Sequence, residues 1–233
     1  MKSKNLIYVA AFLVLGFSAC TDAPESDKAE TSEAKAVETA NGESSGESYK
    51  VDPAGSKVEF IGTKVTGYHL GEIKIKNGEL AVKDGNVTGG NFILDMTSLD
   101  IHGGSDTAAD NKLEGHLKSK DFFEVQGNPE ATFVVTSVKP FTGTVKDTAD
   151  KRQEAISKYK VSNPTHTISG NLTIKGVTKN IEFPAQVTIS PNSVDALAKF
   201  NIDRREWNIV YPGKPDDLIR DQVHLGIALK AAK

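Results

Sequence analysis

Five histidines, one cysteine and an Arg-Arg pair are the side chains of this 233-residue chain best equipped for chemistry. His69, His102, His116, His166 and His224 contain no pair at the i, i+2 or i, i+4 spacings that bring two imidazoles onto one metal ion, and a lone cysteine cannot build a thiolate site. No metal site is therefore expected. Asp216, Asp217 and Asp221 cluster in a loop without the regular ligand spacing and glycine of a calcium loop. No phosphate loop occurs, and no catalytic residue is assigned. His116 falls on an apolar stripe, where a hydrogen-bonded packing role competes with that of a general base. His166 shares the parity of Ile168 and is expected to face a domain interior, near any polar end of a ligand. His224 has the opposite parity to its apolar neighbours and reads as a surface residue. For Arg204 two readings stand: a grip on a phosphate head group, or a surface arginine paired with its acidic neighbours Asp203 and Glu206.

The ends of the chain give these residues a setting. Lys2 and Lys4 precede a short apolar run, Leu6 to Phe17, and small residues lead to Cys20. This is the plan of a secretory signal, too short for a membrane-spanning helix. Phe17-Ser18-Ala19-Cys20 resembles the bacterial lipobox, with Phe17 where leucine is usual. The expectation is a signal peptide over residues 1–19 and lipidation of Cys20, whose acyl chains would anchor the protein to a membrane facing the periplasm or the cell surface. Residues 20–48 carry eight acidic side chains against two basic ones and no aromatic residue. Such a segment has little apolar surface to bury and is expected to be a disordered tether. The remainder, residues 49–233, is close to neutral, which removes the basic footprint that nucleic-acid binding requires.

That remainder reads as strands. Ile181, Phe183, Ala185, Val187 and Ile189 alternate with Glu182, Pro184, Gln186 and Thr188, and Val223, Leu225, Ile227 and Leu229 alternate near the C-terminus. Shorter runs alternate around Phe60, Phe92, Phe133 and Leu172. Asn77-Gly78 and Asp84-Gly85 predict tight turns, and Gly89, Gly90, Gly103 and Gly104 read as bends. One apolar face per run is the mark of antiparallel sheet, and about eight such runs make a sandwich or closed barrel. Asp106 to Lys118 has helical spacing, with Ser105 or Asp106 as N-cap, and Lys151 to Lys160 is a weaker helix candidate.

Several blocks carry a resemblance: Val51-Asp52-Pro53-Ala54-Gly55-Ser56, Lys112 to Phe123, Pro129 to Phe133, Ile168 to Lys179, and Phe200 to Arg204, in that order along residues 50–233. Together they resemble the YceI-like family. The resemblance implies a mainly β fold, an eight-stranded antiparallel lipocalin-like barrel with a short helix, whose interior holds a polyisoprenoid such as a quinone or isoprenyl phosphate in the cell envelope. Thr142 to Asn163 is longer than the family core requires and reads as an inserted loop, and Leu113-Glu114-Gly115 replaces the Arg-Asp usual before the helix histidine.

The expected lining is Phe60, Phe92, Leu94, Met96, Phe133, His166, Leu172, Phe183, Phe200, Leu225 and Ile227, with Arg204 toward a head group. The same apolar list also suits a barrel filled by its own side chains. Three functions compete: a carrier or store for an isoprenoid or similar amphiphile, with no cofactor beyond that bound lipid; a lipid-modifying enzyme using His116 or His166; and a filled envelope module docking a partner through residues 146–160.

Overall fold

A computed structural model describes residues 22–37, 46–105, 110–143 and 158–233. Cys20, the expected leader before it and most of the expected inserted loop lie outside these residues. The elements are β1 (Glu30–Glu33), β2 (Glu47–Val51), β3 (Lys57–Lys64), β4 (Gly67–Lys83), β5 (Asn86–Gly104), α1 (Asp110–Lys118), β6 (Glu130–Pro140), β7 (His166–Ile174), β8 (Val177–Ser190), β9 (Ser193–Asp203), a 3-10 turn (Arg204–Trp207), β10 (Gly213–Lys214), β11 (Asp217–Leu218) and β12 (Gln222–Ala232).

Eight strands close on themselves. Each of β3 through β8 pairs antiparallel with the next, β9 pairs with β12, and β12 returns to β3. The expected eight-stranded barrel is the observed fold. The place between β4 and β12 is shared: β3 fills it toward one end, and β2 fills it toward the other.

Turn chemistry explains the hairpins. Asp84 and Gly85 have φ of 52° and 72°, and Lys175 and Gly176 have 50° and 73°. Two successive positive φ values twist a two-residue loop to match the strands on either side. Asn77-Gly78, by contrast, does not turn. It lies inside β4 beside a register shift between Ile75 and Asn77. A Cβ on Gly78 would stand 2.8 Å from the Phe92 ring and 2.9 Å from Val51, so the glycine is there for close packing. Gly89, Gly90, Gly103 and Gly104 likewise sit within β5.

The helix is found at Asp110–Lys118; residues 106–109 of the expected helix, and residues 151–157 of the weaker candidate, lie outside the described residues. The acidic stretch departs further from expectation. Its residues 22–37 lie against the barrel as a strap, with β1 pairing antiparallel to β8 and Ala29 only 2% exposed. Low apolar content did not prevent ordering because the strap is held by main-chain hydrogen bonds, which any sequence can make.

Candidate functional site

An elongated cavity of about 220 Å³ runs through the barrel. Along β9 its wall extends from Val194 to Ile202, a path of about 25 Å at the rise of a strand. All ten apolar residues expected to face inward are on this wall: Phe60, Phe92, Leu94, Met96, Phe133, Leu172, Phe183, Phe200, Leu225 and Ile227. Four of them form a chain of rings. Phe92 and Phe133 lie 6.2 Å apart, Phe133 and Phe183 5.9 Å, and Phe183 stacks on Phe200 at 4.1 Å with 15° between planes. Inward glycines make room for these rings: a Cβ on Gly170 would collide with Phe133, and one on Gly71 with Phe60.

Strand parity alone leaves other wall residues unplaced. Trp207 is fully buried in the 3-10 turn that follows β9, and its indole Nε1–H donates to the Leu172 carbonyl at 3.0 Å. It lines one end of the cavity with Ile209 and Phe123. Nothing in the spacing of Trp207 showed that it would reach across to β7. At the opposite end the Tyr49 hydroxyl donates to the Pro191 carbonyl at 3.1 Å.

Arg204 also lines the wall, and it is the one charged residue to do so among the described residues. It is 6% exposed, which corrects the surface-pair reading. Its guanidinium donates to the carbonyls of Ile209 (2.6 Å), Arg220 (3.1 Å) and Ile219 (3.5 Å) and to Asp221 Oδ1 (3.2 Å). Burial pulls its pKa below the ordinary value, against the opposing pull of Asp221 and Asp203. Arg204 thus fastens the loop of residues 209–221 over the barrel end. The surface pair is made by Arg205, bonded to Asp203 at 2.7 Å and Asp221 at 3.0 Å, and those carboxylates raise its pKa further.

The histidines fall elsewhere. His166 is half-buried at the start of β7, its Nδ1 2.8 Å from Thr165 Oγ1, and it is not on the cavity wall. The strand begins there, so the side chain stops short of the interior although its parity is right. His116 packs edge-on against Phe122 and Tyr211 and reaches Asp121 at 3.0 Å. That is the packing role, outside the cavity. His224 was expected at the surface and is 4% exposed. It does point away from the cavity, but the strap and Tyr159 cover it. Asn201 Nδ2 donates to the Pro24 carbonyl at 2.9 Å, which leaves Oδ1 to accept from His224 Nδ1 at 2.9 Å. The imidazole is therefore the neutral Nδ1–H form, and desolvation, aided by Lys199, holds its pKa down at about 4. In the acidic loop, Asp217 accepts from Lys64 at 2.7 Å and from Thr66, tying β11 to the β3–β4 turn.

Comparison with known proteins bears on this geometry. The family description "YceI-like domain" matches residues 49–231. The chain belongs to the YceI-like family. Among curated relatives, a UPF0312 protein of Pseudomonas putida strain W619 is 32% identical over 139 residues, covering 59% of this chain and 60% of the relative. A second, from strain GB-1, matches to the same extent. The chain thus spans about 60% of the length of these relatives. Two solved structures share the fold of this YceI-like chain. One is BcnA of Burkholderia cenocepacia, with a TM-score of 0.55 at 19% identity over 77% of this chain and 98% of that one. The other is a polyisoprenoid binding domain from Saccharophagus degradans, with a TM-score of 0.52 at 15% identity over 79% and 97%.

Proposed function

We propose that this YceI-like protein binds and carries a long apolar amphiphile, a polyisoprenoid such as a quinone or isoprenyl phosphate, and performs no chemistry on it. The observation that carries the proposal is the wall of the cavity: long, narrow and apolar, with its single charged residue already bonded to protein. A void of about 220 Å³ in such surroundings stays dry, and left empty it costs on the order of 5 kcal/mol by the usual scaling with cavity volume. A slender hydrocarbon chain recovers that cost together with the transfer free energy of its own surface. A filled barrel with no ligand accounts for the wall less well, because its rings leave this space between them.

Two further observations favour binding over catalysis. Neither His116 nor His166, the candidate general bases, reaches the cavity, and its wall among the described residues offers no nucleophile. The polyisoprenoid binding described for the Saccharophagus domain supports the ligand class, since that domain has the same fold. The wall recognises the chain of the ligand, and the head group would lie beyond it. The leader and Cys20 support an envelope setting, with the protein held at a membrane by lipid on Cys20.

Native mass spectrometry of the full chain extracted from bacterial membranes tests these readings together. The expected result is a mature chain beginning at a lipidated Cys20, with a co-purifying species of isoprenoid mass. A chain that stays unliganded after incubation with quinones and isoprenyl phosphates would return the barrel to the filled-module reading.

A further inference from the structure

Two ladders of the barrel wall stop short, β5–β6 at Asn91–Val134 and β8–β9, and the second of these is filled by another segment of the chain. The ladder between β8 and β9 runs only from Ser190–Ser193 to Ala185–Ala198. Beyond that point β8 continues back toward Val177 and β9 onward to Asp203 without pairing to each other. Their outer neighbours do not close the gap, since β7 stays with β8 and β12 stays with β9. The strap fills it. Glu30 to Glu33 pair with Glu182 to Lys179 on one side. On the other side Asn201 N–H donates to the Asp27 carbonyl at 2.7 Å, and Ala29 N–H donates to the Asn201 carbonyl at 2.9 Å. Residues 27–33 are thus a ninth strand let into an eight-stranded barrel.

The seam lies directly over the cavity. Ile181, Phe183, Phe200 and Ile202 flank it and also line the interior, and Ala29 belongs to the same apolar cluster. Inside the strap, the Phe183–Phe200 stack is the last layer before the cavity.

We propose that this seam is a lateral portal to the cavity, and that the strap is the gate through which an apolar chain enters and leaves; the inference rests on the ligand reading above. The manner of the strap's attachment supports it. Ala29 is the one buried side chain in residues 22–37, and every other is half-buried or exposed. Its ion pairs, Glu33–Lys179 at 2.6 Å and Asp22–Arg220 at 2.9 Å, lie at the surface, where such pairs contribute little. Glu30 directly opposes Glu182, a like-charge pairing that weakens a ladder. Peeling the strap therefore breaks main-chain and polar side-chain hydrogen bonds and uncovers Ala29 and the His224–Asn201 pair, while each true barrel strand would carry away a row of its own core side chains. Trp207 and Phe123 line one end of the cavity, and Tyr49 is buried near the other. The strap is the element that opens at least cost.

Trp207 supplies the readout, being the sole tryptophan and part of the wall. Ubiquinone-2, a quinone with a two-isoprene tail, quenches indole fluorescence. Its release is followed by stopped flow as Trp207 emission recovers on mixing with phosphatidylcholine vesicles. Ala29→Glu places a charge under the strap and is expected to speed release by about tenfold. Glu30→Cys with Glu182→Cys, in the full chain carrying Cys20→Ser, joins two opposed residues that face away from the cavity. The oxidised form is expected to slow release by about tenfold, and reduction to restore the original rate. Quenching that is intact in every variant, with release unchanged by locking and by loosening, overturns the portal alone. No quenching in the unaltered chain overturns the ligand reading and the portal with it.

Discussion

Two neighbouring residue pairs on β9 and β12 are buried in opposite ways. Phe200 faces Leu225 inside the barrel, and one residue along, Asn201 faces His224 outside it. Phe200 is 1% exposed and His224 is 4%, so accessibility alone does not separate them. The inner pair is covered by the closure of the sheet itself and needs only apolar surface of the right size. The outer pair is covered by chain from elsewhere, the strap and Tyr159, with Ser26 Oγ donating to the Tyr159 carbonyl at 2.5 Å. Burial there is polar and directional: each hydrogen bond of Asn201 must find its partner. The inner face therefore carries stability and the cavity, whereas the outer face carries a latch.

The largest effect is expected from breaking the inner pair. Phe200→Ala removes a ring stacked on Phe183 and leaves a hole in a wall already hollow, which should cost about 3–5 kcal/mol in chemical denaturation. A loss below about 1 kcal/mol would mean that the Phe183–Phe200 layer is loosely packed and that the wall lacks the rigidity assigned to it.

Acid should break the outer pair next. His224 has its pKa depressed to about 4 in the folded protein, against 6.5 for the ordinary side chain. Between those values the unfolded chain binds the proton and the folded one does not, so lowering the pH favours unfolding. The contribution is fully present above about pH 6.5 and is lost as pH falls toward about 4, a change of about 3 kcal/mol. Asp203 and Asp217, both depressed below 3.8, lose their contributions only at lower pH and do not overlap this window. Urea unfolding at about pH 7 and about pH 4.5 checks this against His224→Gln, which should show a much flatter dependence. Equal slopes in the two proteins would mean that His224 is protonated in the folded state.

The inner region was legible because its physics is local. Alternation puts Val223, Leu225, Ile227 and Leu229 on one face of β12, and closure buries that face whatever lies outside. The same logic failed where a second piece of chain decided the outcome. His224 has outward parity, and only the strap and Tyr159 make it a buried residue. The strap itself carries no periodic signal, since its ladder to β8 uses main-chain groups and its one buried side chain is Ala29. Asn77-Gly78 has the composition of a hairpin turn, yet it packs against Phe92 within β4 because the real turn, Asp84-Gly85, lies further on. Arg204 was ambiguous for a related reason. Three of its four partners are carbonyls, and carbonyls leave no trace in the residue types of the loop that supplies them.

The smallest change sharpens the comparison most, because it touches the latch without touching the barrel. Glu30→Lys replaces the opposed Glu30–Glu182 pair with one of unlike charge, repeating the arrangement that Glu33 and Lys179 already make three residues away. Exchange of the amides of residues 27–33 should slow by about two- to threefold at low salt, with the difference shrinking as salt screens the pair. Amides of β12 should exchange as before, since nothing in the barrel interior has changed. A slowing shared equally by the strap and β12 would mean that the two open together as one cooperative unit, and the strap would then be a ninth structural strand with no gate to form.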